Sequence, residues 1–354
     1  MKISVVLFNL GGPGRQEDVR EFLFNLFNDP AIIGAPGPVR WALAQVISRR
    51  RTPVARQIYA ELGGGSPLLE NTQAQAAALQ EGLADLGDVK VTVCMRYWHP
   101  MSDAAVAEVA AFGPDRIVLL PLYPQFSTTT SGSSFKDWDR AAKAGGLVRP
   151  TNRVCCYPRQ DGLIAALAGR VKSGMSQVQG GRPSRVLFSA HGLPKKVIAA
   201  GDPYQWQVEQ AAEAVVDRLA TPGLDWVVCY QSRVGPLEWI GPSTDDEVRR
   251  AGNDGVAAVV VPIVFVSEHS ETLVELDIEY AKLAAEAGVP QYVRVPTVDV
   301  LPEFVGGLAD LVREAVSAGR DLGSCGGGRI CPAALGRCPV AEVPLGGTEA
   351  DARI

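Results

Sequence analysis

Three histidines occur in 354 residues, and each follows a short β-branched run. His191 stands in Phe188-Ser189-Ala190-His191-Gly192-Leu193-Pro194, His269 in Ser267-Glu268-His269-Ser270-Glu271-Thr272, and His99 in Arg96-Tyr97-Trp98-His99-Pro100. A neutral imidazole, with an ordinary pKa near ~6.5, accepts a proton around neutrality. His99, between Trp98 and Pro100, reads as structural; His191 beside a glycine and His269 beside acidic residues read as chemical. Beyond His269, Glu271, Glu275 and Glu279 recur at i, i+4 and i+8, which on a helix puts three carboxylates on one face. Such an arrangement costs about 0.2–0.5 kcal/mol per like-charge pair, and only Glu271, near the helix N-terminus, gains from the dipole. The stripe is either a solvated face or the lining of a wet channel. The preceding apolar strand and the interleaved Leu273, Val274, Leu276 and Ile278 favour a channel, carrying protons out or a divalent cation in. A Gly/Pro-rich loop, Tyr230 to Pro242, carries Trp239, which is either a packing anchor or a surface for a flat aromatic ligand.

Seven cysteines in a long chain do not form a disulfide framework. Cys94 and Cys229 lie inside strands and read as core. Cys325, Cys331 and Cys338 are spaced C-x5-C-x6-C in a Gly/Pro-rich tail that is expected to bury little. Four thiolates hold a [2Fe–2S] cluster, so the fourth ligand must come from elsewhere, Cys156 or Cys155 being best placed at a strand end. Zinc is the lesser alternative because no C-x2-C knuckle is present. Incidental thiols on a disordered tail are the bland one, and residues beyond Cys338 read as a disordered end.

The elements that must position these groups alternate in type. Strands are expected at Ile3–Asn9, Val89–Met95, Arg116–Tyr123 and Arg153–Tyr157, then at Arg185–Ser189, Leu224–Tyr230, Val256–Phe265 and Gln291–Val295. Helices are expected at Asn71–Leu86, Met101–Phe112, Tyr204–Leu219, Glu271–Ala287 and Leu301–Ala318. Alternation of this kind implies parallel sheets covered by helices, with ligands beyond the carboxyl ends of the strands. The halves echo each other: Val6-Leu7-Phe8 against Val186-Leu187-Phe188, and Val118-Leu119-Leu120-Pro121 against Val259-Val260-Val261-Pro262. The expected fold is α/β, two Rossmann-like domains with a ligand cleft between them. Its parts are residues 1–157, residues 158–300 with the histidine and glutamates, a C-terminal helix at 301–320 and a cysteine-containing tail at 321–354. Gly11-Gly12-Pro13-Gly14 lacks the spacing of a dinucleotide fingerprint.

Composition excludes other classes. Hydrophobic residues at 47% and charged residues at 21% suit a globular chain, and a net charge of -5 argues against sequence-independent nucleic-acid binding. The longest apolar run, Val256 to Val266, falls short of the ~18–20 residues of a membrane helix. The apolar start runs into glycines rather than a cleavage site, so the protein is expected in the cytoplasm. Arg49, Arg50 and Arg51 form a local basic run whose default partner is water, with peripheral membrane contact left open.

Taken in order, these segments resemble the ferrochelatases from Asn9 to about Val316. The most specific are Ser189 to Pro194, Gln231 to Pro242 and Pro262 to Tyr280. Pro121 to Ser127 and Gly63 to Pro67 also match. The resemblance implies a chelatase-like pair of domains around a porphyrin cleft, with porphyrin and ferrous iron as substrates and protoheme as product. It makes His191 and Glu271 the catalytic pair facing each other across the macrocycle, and the side chains that meet the metal. It assigns His269, Glu275 and Glu279 to an acidic path, and Leu10, Tyr123 and Trp239 to the porphyrin pocket. The segment from Ile33 to about Gln57 becomes an apolar lip, and the C-terminal cysteines a [2Fe–2S] site like that of some family members. A chelatase for coproporphyrin III or another metal is the near alternative. A non-catalytic heme or iron carrier is the distant one, since a carrier needs no proton path.

Overall fold

Ile3 to Phe8 is buried side chain after side chain, which is possible only for an interior strand covered on both faces. The computed structural model describes residues 1–233, 235, 237–318 and 321–340. In the first half, β1 (Lys2–Asn9), α1 (Val19–Phe27), α2 (Gly37–Glu61) and α3 (Leu68–Gly82) lead to β2 (Asp88–Met95) and α4 (Ser102–Phe112). β3 (Arg116–Pro121), α5 (Ser131–Ala144) and β4 (Thr151–Val154) complete it. After α6 (Asp161–Ser176) come β5 (Ser184–His191), the short α7 (Lys195–Ala199), α8 (Tyr204–Leu219), β6 (Asp225–Gln231), α9 (Thr244–Asn253) and β7 (Ala257–Pro262). A π-helix (Glu271–Glu279), α10 (Tyr280–Glu286), β8 (Tyr292–Arg294), α11 (Pro302–Ser317) and β9 (Leu322–Gly323) close the chain as described.

All strand pairs are parallel. One sheet has the order β2-β1-β3-β4-β9, the other β6-β5-β7-β8. Each therefore places its second strand beside its first, then its third, then its fourth, as the doubled sequence pattern anticipates. The order reverses at β1/β3 and again at β5/β7, and such switch points open a crevice beyond the strand ends. Leu10 and Tyr123 follow β1 and β3; His191 ends β5, and the loop to Glu271 follows β7. One apolar core runs through both halves, from Ile3, Leu7 and Leu120 through α6, α8 and α11 to Val186 and Phe188. Each fully buried Leu, Ile or Phe there contributes about 1.5–3 kcal/mol.

Several expectations need correction. The segment expected as one α-helix, Glu271–Ala287, is a π-helix to Glu279 and α-helical only from Tyr280 to Glu286. Its i→i+5 turns are wider than those of an α-helix, so the spacing argument that put three glutamates on one face used the wrong period. β3 and β7 stop at Pro121 and Pro262, short of Tyr123 and Phe265, and β4 stops at Val154 rather than Tyr157. The tail buries more than its composition suggested: β9 pairs with β4, and Cys331 and Val340 are buried. Residues 341–354, expected to be disordered, lie outside the described residues. α2 covers most of the expected lip and leaves Val39, Trp41, Leu43 and Val46 exposed. No helix of the described residues is long and apolar enough to cross a membrane.

Candidate functional site

His191 is the last residue of β5 and lies in register with Gln231 of β6. Its carbonyl accepts the Tyr204 hydroxyl at 2.9 Å, which pins the strand end to the first turn of α8. Gly192 follows because no side chain fits: a Cβ would stand 2.9 Å from the Gln231 carbonyl oxygen and 3.3 Å from the Trp239 ring. The loop bearing Trp239 is bridged to the His191 loop, Lys195 N donating to the Glu238 carbonyl and Ile240 N to that of Leu193. Trp239 is thus held against the histidine's neighbour, and its indole N–H is buried without an acceptor among the described residues.

Glu271 opens the π-helix after β7, and its Oε2 lies 3.0 Å from His191 Nδ1 and 3.9 Å from His269 Nε2. Burial disfavours both charges, but the Glu271 carboxylate, with Glu275 behind it, more than offsets this for His191 and raises its proton affinity. Burial also pushes Glu271 up; His191, by charge and hydrogen bond, and then His269 outweigh it and hold Glu271 down to about 2. His269 is pulled the other way by burial, the carboxylates of Glu271 and Glu268 only partly compensating. Its ring packs edge-on against Phe265, and its Nδ1 has no hydrogen-bond partner among the described residues. Since Glu271 is the acceptor, Nδ1 of His191 carries the proton, and Nε2 is the nitrogen left to act as a base. The pair is partly open to solvent, 36% of the His191 side chain and 28% of Glu271 being exposed.

Glu275 sits in a cradle of donors. Ser232 N reaches its Oε1 at 2.7 Å; Ser232 Oγ and Gln231 Nε2 reach Oε2 at 2.5 and 3.0 Å. Burial and the charge on Glu271 raise its proton affinity in spite of these bonds. Glu279 is exposed at the far end of the π-helix. The path expected from three glutamates is therefore two half-buried groups and one at the surface.

The first half supplies residues that no local motif marked. Tyr59 of α2 is buried close to Ser270 and Glu271, and burial raises its pKa to about 12. Gln75 of α3, fully buried, donates to the carbonyls of Val266 (2.9 Å) and Asp299 (3.1 Å) and accepts from Ser267 Oγ (2.8 Å). Asn71, one turn earlier, donates to the Glu268 carbonyl at 3.0 Å. These bonds set the loop that presents His269 and Glu271. Leu10 packs with Phe22, Leu23, Tyr59, Tyr97 and Trp98, and Tyr123 packs against the Phe8, Phe135 and Trp138 cluster. Neither has a contact to His191 or Glu271 among those described. The glycine turn at Gly11 to Gly14 packs against the Gly63–Pro67 loop: Ser66 N donates to the Pro13 carbonyl, and a Cβ on Gly65 would stand 2.3 Å from the Gly14 oxygen. Packing explains both glycine motifs. His99 stacks edge-on with Trp98, as a structural histidine would.

The thiols gather elsewhere. Cys155 and Cys156, just after β4, meet Cys338 and Val340 of the tail, with Cys155 and Cys156 Sγ 3.2 Å apart. Gln207 Nε2 donates to Cys156 Sγ at 3.3 Å and Cys331 Sγ at 3.1 Å. Hydrogen bonds from the thiols of Cys155 and Cys331, with Arg329 near, hold Cys338 well below the ordinary thiol range. Cys325 departs from this set and lines a cavity of about 540 Å³ with Arg159, Trp206 and Glu314. Cys94 and Cys229 are core residues, as expected. Among the described residues no three His, Cys, Asp or Glu side chains surround a common metal position. The four gathered thiols, three of them buried, fit a cluster in number; Cys155 and Cys156 touch each other and Gln207 links Cys156 to Cys331, so they are not spread about a centre.

A family model described as Ferrochelatase matches residues 2–316. A curated protein named Ferrochelatase from Caulobacter vibrioides is 53% identical over 344 residues, 96% of this chain and 98% of its own length. One of the same name from Phenylobacterium zucineum is 54% identical over 343 residues, with the same coverage. Among solved structures, SirB from Bacillus subtilis with Fe3+ superposes with a TM-score of 0.52 at 15% identity, covering 90% of this chain and 96% of that one, a likeness of fold alone.

Proposed function

Because the chain belongs to the ferrochelatase family, we propose that it inserts ferrous iron into protoporphyrin, the closing step of heme synthesis, with His191 as the base. The observation that carries this reading is the His191 Nδ1–Glu271 Oε2 contact of 3.0 Å at the switch point of the second sheet. Metallation exchanges two pyrrole N–H protons for one divalent iron, so a base must stand beside the ring. The Glu271 carboxylate on Nδ1 orients the imidazole and stabilises the imidazolium formed when Nε2 takes a proton. Glu275, whose proton affinity is raised by burial and by Glu271, is the next acceptor, and exposed Glu279 opens the path to solvent. His269, neutral and 3.9 Å from Glu271, is a second outlet. Glu271 and His191 are also the groups the entering iron meets. Trp239 beside Gly192, with Leu10 and Tyr123 beyond β1 and β3, would line the pocket for the ring.

His191→Ala is expected to lower the rate of zinc or iron insertion by about 10²–10⁴-fold. Porphyrin affinity, read by tryptophan quenching, should change little. Near-normal turnover with either protoporphyrin or coproporphyrin would refute the assignment, and a wild-type chain that metallates neither ring would favour a carrier.

The same reading assigns a [2Fe–2S] cluster to Cys156, Cys331 and Cys338, with Cys155 or Cys325 as the fourth ligand. Support comes from the convergence of Cys155, Cys156, Cys331 and Cys338, the first three of them buried. When bound, such a cluster supplies a one-electron redox centre. Protein purified without oxygen should show visible charge-transfer bands and acid-labile sulfide; the absence of both removes the cluster. A cytoplasmic location belongs to this reading and is supported by the absence of a membrane-crossing helix among the described residues.

A further inference from the structure

Gln231 has no exposed surface, and every hydrogen-bonding group of its side chain is used. Oε1 accepts from Ser189 Oγ at 2.7 Å; Ser189 lies two residues before His191 on β5. Nε2 donates one hydrogen to the Glu271 carbonyl oxygen at 2.9 Å and the other to Glu275 Oε2 at 3.0 Å. Its own carbonyl accepts from Gly192 N at 2.8 Å. One residue thus touches the strand that carries His191, the residue after it, and the first turn of the π-helix that carries Glu271 and Glu275.

The geometry points to Gln231 as a positioning residue for metal insertion, a brace that sets the distance between the His191 strand and the Glu271 turn. It rests on the reading of His191 and Glu271 as the reacting pair. Gln231 Nε2 is an outside donor on the first carbonyl of a π-turn, a geometry that is rare and found mostly at functional sites. The Ser189 hydroxyl, itself 2.9 Å from Thr244 Oγ1, fixes the rotation of the amide so that both hydrogens face the helix. Ser232, at φ +60°, turns its N–H and hydroxyl onto the same carboxylate, so Glu275 stays held on two sides if Gln231 is lost. Glu271 has no such second support from this strand, and the His191 contact is where the loss should appear.

The test compares wild type with Gln231→Met, which keeps the volume and removes all three bonds, and with Gln231→Glu, which keeps only the Ser189 acceptor. Ser189→Ala removes only the hydroxyl that orients the amide. With full-length protein, zinc insertion into protoporphyrin should show kcat lowered about 10–100-fold in both Gln231 variants, the scale of a misplacement of about an ångström, with KM for porphyrin within about twofold. Ser189→Ala should lose a smaller part of kcat. With only three histidines in the chain, 15N-labelled imidazole spectra follow His191 directly. Its Nδ1 resonance should move toward that of an imidazole without a carboxylate partner, while His99 stays in place. Unchanged kcat and an unchanged His191 signal in a folded Gln231 variant overturn the inference. If both Gln231 variants fail to fold, Ser189→Ala decides, and wild-type kcat with a wild-type spectrum rejects it. A dead His191→Ala beside normal Gln231 variants rejects the brace alone; an active His191→Ala rejects the reading beneath it.

Discussion

Replacing Glu271 by Gln, alone and together with His191→Ala, measures the worth of the pair on which the site depends. Glu271 is held from 4.5 down to about 2, chiefly against burial by His191. At ~1.4 kcal/mol per tenfold change in proton affinity, that is roughly 3 kcal/mol. The side chains remain 28% and 36% exposed, so solvent screening brings the expected coupling to about 1–2 kcal/mol. The sign follows from both partners. A depressed carboxylate contributes stability above its ordinary pKa and loses it as pH falls through about 2. A raised histidine contributes fully below its ordinary 6.5 and loses it as pH rises through its folded value. The coupling is therefore greatest between pH 4.5 and 6.5. Urea unfolding of the four proteins at about pH 5.5 and about pH 9.5 gives the interaction energy at each pH. About 1–2 kcal/mol at the lower pH and a value within the ~0.5 kcal/mol error of additivity at the higher are expected. Additivity at both, or equal coupling at both, would refute an ion pair.

The Glu271→Gln protein should also show the acid limb of its kcat/KM profile displaced to lower pH, because the charge that raises His191 is gone; an unmoved limb would separate His191 from the rate. Gln75→Leu leaves the carbonyls of Val266 and Asp299 and the Ser267 hydroxyl without their partner, and should lower stability by about 2–4 kcal/mol in urea titrations. A loss below about 0.5 kcal/mol would show that α3 does not hold the loop before His269. Cys338→Ser should abolish the visible absorption of anaerobically purified protein, and full retention would remove this thiol from the ligand set.

What could be read locally depended on how far apart in the chain the interacting residues lie. β1, β5 and β7 were legible because Val5–Phe8, Val186–Phe188 and Ala257–Val261 are apolar on both faces, a pattern few elements but interior parallel strands tolerate. α9 was not singled out, although Ser243 before three acidic residues is a capping signal, and its Oγ does accept from Asp246 N at 3.1 Å. The π-helix was beyond reach, since Leu273, Val274, Leu276 and Ile278 read equally well at an α-helical period.

His191, His269 and Glu271 are marked by their own chemistry: scarce imidazoles and a carboxylate just past apolar runs can be noticed without knowing what lies opposite. The alternation of strands and helices likewise follows from short-range patterning, so the doubled α/β plan is contained in the chain. Ser189 and Gln231 stand in marked motifs, but their bonding is not legible there; Gln75 is unremarkable as a letter, and these residues joined the site only through partners 40 to 224 positions away. A hydrogen bond depends on where two atoms end up, and for those residues only the closing of two sheets over a shared core decided it.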